Sequence, residues 1–351
     1  MDMEKMEIDG KLVGEKEPAY IIAEMSGNHN GDIRRALEIV EAAAEAGADA
    51  IKLQTYTADT ITLDCDNKYF QTQTGSLWEG RTLYDLYKEA YTPWEWHAPI
   101  MEKAAELGIT CFSTPFDFTA IDFLEKMNVP AYKIASYEIQ DIPLIRKVAS
   151  TGKPIIMSTG IATLEDIYVA VEECRKEGNE QIAILKCTSA YPSPYEEMNI
   201  NVIPHMKQTF GCICGLSDHT LGTEVAIASV ALGAQIVEKH MTLRRVDGGV
   251  DAAFSMEPEE FANMVRQIRN IEKAKGSITY DLTEKQREGR QYGRSLFVAE
   301  DICEGNEFTE KNIRSVRPAS GLATKYYEDI LGKKAAYGLK KGTPLSWEMI
   351  R

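Results

Sequence analysis

No apolar run in this chain approaches the roughly 18 consecutive residues that a membrane-spanning helix requires, so no span of that kind is expected. The opening stretch, MDMEKMEIDGK, is charged and lacks the apolar core of a secretory signal. Basic charge is in short supply. The 39 Lys and Arg are outnumbered by 54 Asp and Glu, for a formal net charge of −15. That balance argues against nucleic acid binding through a general basic surface. It leaves room for an anionic substrate held by a few local lysines. The seven cysteines are scattered, odd in number and without a C-x-x-C pair, and a chain of this size does not need disulfides. A reducing cytoplasm is the expected compartment. Histidine is scarcer still, with five in all, and neither an internal repeat nor a low-complexity tract is evident.

Apolar periodicity, by contrast, is abundant. The 351 residues, 44% hydrophobic and 26% charged, suffice for one large domain and a small one. Eight apolar, β-rich runs recur: AYIIAE (19–24), DAIKLQT (49–55), TCFSTP (110–115), AYKIAS (131–136), PIIMST (154–159), QIAILKCT (181–188), CICGLSD (212–218) and QIVEKHM (235–241). Helix-like segments separate most of them. In the first, Ile33, Leu37, Val40 and Ala44 share a helical face, and Gly47 suits the position just past the helix end. Strands apolar on both faces and alternating with helices imply a parallel sheet. Eight units over about 255 residues match a (β/α)8 TIM barrel in number and size; a doubly wound open sheet is the alternative. The pattern stops after PEEFANMVRQIRNIEKAKG, and a texture of short strands and glycines begins at Tyr292. The expected organisation is an α/β barrel domain over 1–280, a linker over 281–291 and a small β-rich domain over 292–351.

The C-terminal strand ends of such a barrel form its active-site face, and here they are polar. Glu24 ends the first run and Ser26, Asn28, His29 and Asn30 follow it; Lys52 and Gln54 share one face of the second. Ser113 and Thr114, then Lys133, Ser136 and Glu138, then Ser158 and Thr159, then Lys186, Thr188, Ser189 and Tyr191 end the next four. Ser217, Asp218 and His219 end the seventh, and Glu238, Lys239 and His240 the eighth, with TLGTEVAIASVALGA between them reading as one helix. Paired imidazoles at adjacent strand ends suit a metal, although two buried, hydrogen-bonded histidines are the plainer reading. Lysines among hydroxyls make an oxyanion site for phosphate or carboxylate, although a single lysine is more often a solvated side chain. Glu24 is either a general acid or base or a helix N-terminus partner. Glu238 shares a face with His240 and is expected to support a ligand. Lys133 and Lys186 are also placed for Schiff-base chemistry. The segment from Thr57 to Tyr91 is too long for an ordinary connection; its Tyr69, Phe70, Trp78, Tyr84, Tyr87 and Tyr91 make it an ordered lid or wall.

The motifs AEMSGNHNGD, ADAIKLQTY, CFSTPFD, AYKIASYE, STGIAT, KCTSAYPSP, GLSDHTLG and ALGAQIVEKHMTL closely resemble those of the sialic acid synthase family. GRSLFVAEDI and SVRPASGL resemble the antifreeze-like (SAF) domain of the same enzymes, so the resemblance runs through nearly the whole chain. It implies condensation of phosphoenolpyruvate with an open-chain N-acetylated amino sugar, giving a nine-carbon ulosonic acid and phosphate. His219 and His240 are then implied to hold a divalent metal, usually Mn²⁺. Lys52, Thr114, Lys133, Ser136, Ser189 and Ser217 are implied to hold phosphoenolpyruvate, with Asn common in the family where Ser189 stands. Gln54, Glu138, Tyr191 and Asp251 are implied to contact the sugar, and Glu24 to handle a proton or the water that attacks C2. The partner subunit's Arg317 is implied to reach the sugar's acyl group in a domain-swapped homodimer. Members that make N-acetylneuraminic acid commonly carry a His after the Asp of a P-G-x-D-H segment; here VDGGVDAAFS has Asp251 followed by Ala252. The lid, LWEGRTLYDLYKEAYTPWEWH, is similar to the pseudaminate-forming branch, whose sugar is a 2,4-diacetamido-2,4,6-trideoxy-altrose. The methyl group of that sugar suits an aromatic wall.

Overall fold

The computed structural model describes residues 5–72, 74–75 and 77–351. The chain divides into two compact units, Met1–Gly276 and Ser277–Arg351. The first opens with β1 (Lys5–Ile8) and β2 (Lys11–Gly14) and continues with β3 (Tyr20–Glu24), α1 (Ile33–Glu45), β4 (Ala50–Thr55), α2 (Ala58–Ile61), α3 (Leu83–Ala90), α4 (His97–Glu106) and β5 (Thr110–Pro115). Then come α5 (Phe118–Lys126), β6 (Tyr132–Ile134), α6 (Ile142–Ala149), β7 (Ile155–Ser158), α7 (Leu164–Lys176), β8 (Ile182–Lys186), α8 (Val202–Phe210), β9 (Ile213–Asp218), α9 (Glu224–Ala231), β10 (Ile236–His240) and α10 (Pro258–Lys275).

Strands β3 to β10 pair in chain order, all parallel, and β10 closes onto β3 from Ile236↔Tyr20 to His240↔Glu24. That closure excludes the open sheet. Each of the eight apolar runs contains one strand. Helices pack outside the wall against one face of each strand, and the other face fills the barrel with Tyr20, Ile22, Ala50, Phe112, Ala131, Ile156, Ala183, Leu185, Ile213 and Ile236. Burial on both faces is why these strands read as apolar runs rather than as alternation. In β9, Gly215 has no room for a side chain, because a Cβ there would strike the carbonyl of Ile236 and the side chain of Leu185.

Three local readings change. The buried stripe of α1 is Ala36, Ile39, Val40 and Ala43, so Leu37 and Ala44 lie at its edge. Gly47 does occupy the left-handed position past the helix end, at φ +87°. The helix between the two histidines begins only at Glu224, because Gly222 is at φ +80° and Thr220 is tied back to Asp218. Finally, the N-terminal residues form an antiparallel hairpin, β1–β2, turning at Asp9 (φ +51°) and Gly10 (φ +77°). Its Met6, Ile8 and Val13 join the cluster that fills the barrel, stopping the N-terminal end with apolar side chains.

The segment from Thr57 to Tyr91 carries α2 and α3, with Gln71 bridged to Thr82 and Leu83 N–H bonded to Phe70 O. The second unit contains the antiparallel pair β11 (Ser295–Val298) and β12 (Ile313–Val316) over its own core of Leu296, Val298, Ile302, Phe308, Ile313, Ile330, Ala335, Leu339 and Leu345. Among the described residues, no helix is long and apolar enough to cross a membrane.

Candidate active site

At the C-terminal end of the barrel the inward-facing series changes from apolar to polar. Ile22 is followed inward by Glu24, Ala50 by Lys52 and Gln54, Ala131 by Lys133, and Ile236 by Glu238 and His240. On β9 the series runs Ile213, Gly215, Ser217 and, just past the strand, His219. The polar members of these series line a cavity of about 300 Å³, the size of a small-molecule site.

Its floor is an ionic network. Lys52 is paired with Glu24, lies 3.6 Å from Glu238 Oε1 and donates to Thr114 Oγ1 at 3.2 Å. Lys133 donates to Glu238 Oε1 at 3.2 Å, and Ser217 reaches the same oxygen at 3.5 Å. Burial raises the Glu24 carboxyl above its ordinary range against the pull of Lys52. Burial acts the same way on Glu238, but Lys133 and Lys52 together hold it below the usual carboxylate value. Burial lowers the Lys133 amine against the pull of Glu238, so two lysines and two carboxyls balance one another on the floor. The second oxygen of Glu238 is buried without a hydrogen-bond partner, as is expected of a group arranged for a ligand.

The network continues upward. Gln54 Nε2 donates to Glu24 Oε1 and Ser26 Oγ, both at 3.0 Å, and Ser26 donates to Asp251. Asp251 Oδ2 lies 3.8 Å from His240 Nδ1, which has no bonded partner. Burial, reinforced by the nearby cations, holds His240 well below its ordinary value and therefore neutral. His219 Nδ1 lies 3.2 Å from the carbonyl of Thr188. A carbonyl only accepts, so Nδ1 carries a proton, and the neighbouring Cys187 and that carbonyl raise the imidazole above its ordinary value against the effect of burial. The two rings stand with centroids 5.2 Å apart, boxed by Phe254 at 5.0 Å from His240 and Tyr191 at 4.6 Å from His219. Two adjacent imidazoles with packed rings suit a divalent ion. Among the described residues, no group of three or more His, Cys, Asp or Glu is arranged to hold one.

The lid supplies one wall. Ile61, Trp78, Leu86, Tyr87 and Ala90 line the cavity, and Tyr56, Phe116 and Val250 extend the apolar surface. Trp78 Nε1 donates to Val250 O at 2.9 Å and its ring lies 5.8 Å from Tyr191, which fastens the lid across the mouth. Tyr69 points away and is exposed. Glu138 lies beside this wall, and burial pushes its carboxyl up to about 7, against the pull of Lys133.

Of the side chains singled out in the sequence, Glu24, Lys52, Gln54, Lys133, Ser136, Glu138, Tyr191, Ser217, His219, His240 and Asp251 line this one cavity. Thr114 sits behind Lys52. Ser189 lies outside the lining with its hydroxyl unpartnered, beside Gly160, where a Cβ would strike both it and Ser136. Gly160 N–H donates to Ser136 Oγ at 3.0 Å. Arg317 belongs to the second unit and is exposed just past β12. Two readings need correction. Glu238 bonds to the lysines and Ser217 rather than to a histidine. Lys186 lies outside the lining, its Nζ bonded to Cys187 O and Thr188 Oγ1, which leaves Lys133 as the only one of the two Schiff-base candidates in the cavity. Ser26, Tyr56, Phe116, Ser158 and Val250 also line the site. Tyr56 and Phe116 continue the inward series of β4 and β5 one residue past the strands, whereas Val250 sits on a loop that period-two counting does not reach.

Residues 39–280 match the NeuB family, and residues 293–351 match the SAF domain. A pseudaminic acid synthase of Campylobacter jejuni is 45% identical over 326 residues, 93% of this chain and 95% of that protein. One from Helicobacter pylori is 45% identical over 331 residues, 94% of this chain and 97% of that protein. An N,N'-diacetyllegionaminic acid synthase of Legionella pneumophila is 36% identical over 342 residues, 96% of each. Among solved structures, the N-acetylneuraminic acid synthetase of Leptospira borgpetersenii in complex with citrate superposes with a TM-score of 0.74 at 31% identity, covering 83% of this chain and 96% of that one.

Proposed function

This chain belongs to the NeuB family, and on that footing we propose that it is a phosphoenolpyruvate-dependent nonulosonic acid synthase that makes pseudaminic acid from 2,4-diacetamido-2,4,6-trideoxy-altrose. The observation that carries the chemistry is the meeting of two buried lysines, several hydroxyls and two imidazoles at one closed barrel mouth. The choice of sugar is supported by the 45% identity to pseudaminic acid synthases, against 36% to a legionaminic acid synthase. The apolar lid wall fits a sugar with a methyl at C6.

Lys52, Lys133, Ser136 and Ser217 hold the phosphate and carboxylate of phosphoenolpyruvate, with Thr114 steadying Lys52 and Ser189 beside Ser136. Gln54, Glu138, Tyr191 and Asp251 hold the sugar above it. Positioning is the main contribution, because C3 of phosphoenolpyruvate is a weak nucleophile that gains from being held against the aldehyde. Attack leaves positive charge at C2, which Glu24, buried on the floor, stabilises electrostatically. Water adds at C2 under the control of Glu24, and the tetrahedral species loses phosphate by C–O cleavage. Glu138, with a carboxyl near 7, is suited to give a proton to the oxygen that was the aldehyde. His219 and His240 would hold a divalent metal, Mn²⁺ by preference, whose chemistry is to polarise the sugar aldehyde. The partner subunit's Arg317 reaches the sugar's acyl group in a domain-swapped homodimer, and the enzyme works in the cytoplasm.

Phosphate release tests the reading. Metal-stripped protein with Mn²⁺ restored is given phosphoenolpyruvate and, side by side, the altrose sugar, the legionaminate precursor and N-acetylmannosamine. Preference for the altrose sugar is expected. Preference for another sugar would overturn the substrate, and covalent trapping by borohydride would replace the mechanism with a Schiff base on Lys133.

A further inference from the structure

Directly behind the two histidines, outside the barrel wall, lies an ion pair that the reaction does not use. Lys239 and Asp218 are register partners on β10 and β9. Alternation sends their neighbours Glu238, His240, Ser217 and His219 into the cavity and turns Lys239 and Asp218 away from it; neither lines the site. Both are about 1% exposed. Lys239 Nζ donates to Asp218 Oδ2 at 2.6 Å and to Thr220 O at 2.7 Å. Asp218 Oδ1 accepts from Thr220 N–H at 2.9 Å and from Thr220 Oγ1 at 2.8 Å. All four bonds end on the residues flanking His219, and the lysine that makes two of them immediately precedes His240.

A buried ion pair is a poor source of stability, since an apolar pair of the same volume is often equal or better. What an apolar pair cannot do is direct four bonds at one turn. We infer that the Asp218–Lys239–Thr220 cluster is a positioning clamp that sets the separation and orientation of His219 and His240, and through them the affinity for a divalent metal. The inference rests on the reading of that histidine pair as the metal site. Asp218 and Lys239 hold the two strand ends together, and the bonds to Thr220 hold His219 from both sides. Partners behind metal ligands commonly govern affinity ten- to a hundredfold.

The test uses the full-length, metal-stripped protein, with Mn²⁺ as the titrant and free Mn²⁺ read by electron paramagnetic resonance. The double variant Asp218→Asn/Lys239→Met leaves no uncompensated charge, and Thr220→Val removes a single bond in case the double variant does not fold. Phosphoenolpyruvate affinity is measured without metal on the same samples, as is thermal unfolding. A drop in Mn²⁺ affinity of about tenfold or more for the double variant, and about threefold for Thr220→Val, is expected, with phosphoenolpyruvate affinity within about twofold of the parent. A general structural role would lower both affinities together, and that result overturns the clamp. Parental Mn²⁺ affinity in the folded variants also overturns it, leaving the histidine site intact. If the parent protein binds no Mn²⁺, and His219→Ala and His240→Ala change nothing, the metal reading fails and takes the clamp with it.

Discussion

Lys52 joins three polar side chains of the floor, touching Glu24, Glu238 and Thr114 at once. Replacing it with methionine leaves two buried carboxyls with one cation between them. Loss of one partner from a buried network costs about 3–5 kcal/mol, so Lys52→Met should lose about that much stability in a urea melt and bind phosphoenolpyruvate far more weakly in a fluorescence titration. Glu138 gives a second prediction, with a defined sign. Its folded carboxyl is near 7 and its ordinary value is 4.5. The folded state therefore holds the proton more tightly, so its stabilising contribution is complete below about pH 4.5 and is lost as pH rises towards 7. Glu138→Gln has no such dependence. The stability of the variant relative to the parent should increase between pH 5 and pH 7.5, by up to about 3 kcal/mol, and then level off. Urea melts at four pH values suffice to check it. A flat difference would mean that Glu138 is ionised at every pH tested.

Among elements, the hairpin and the lid show what sequence does and does not disclose. The eight barrel strands were legible because each is buried on both faces and bounded by turns. The site was legible for the same geometric reason, since inward positions two apart on β3, β4, β9 and β10 carry Glu24, Lys52, Gln54, Ser217, Glu238 and His240. The hairpin went unread because its strands have only four residues each, although Asp9-Gly10 is a strong two-residue turn signal. The bond from Ser26 to Asp251 joins residues 225 apart, and no local pattern reports such a contact. For the same reason the lid could be read as aromatic, while the seating of Trp78 against Val250 O could not. Ile8 on the hairpin is fully buried within the barrel cluster, so Ile8→Ala should cost about 2–4 kcal/mol in a denaturant melt without altering phosphoenolpyruvate affinity. Trp78→Ala should do the converse, raising the sugar KM about tenfold or more by removing a buried aromatic anchor, with phosphoenolpyruvate affinity unchanged in steady-state assays.

For the molecule as a whole, the proposed domain swap can be tested by mixing two inactive variants. Glu24→Gln and Arg317→Ala should each abolish turnover. Mixed and allowed to exchange subunits, they should recover about a quarter of parental activity if Arg317 acts across the dimer, because half of the dimers then carry one intact site in two. If Arg317 acts within its own chain, mixing restores nothing. A last consequence follows from the hairpin that stops the barrel's lower end. The tube has one door. The residues proposed for phosphoenolpyruvate lie a layer deeper than Gln54 and Glu138, which are proposed for the sugar, and nothing can slip in from beneath. The two guests must therefore queue: the deeper seat fills first, and a sugar that jumps the line bars the way behind it. Product and dead-end inhibition patterns should accordingly show compulsory order, with excess sugar inhibiting in competition with phosphoenolpyruvate.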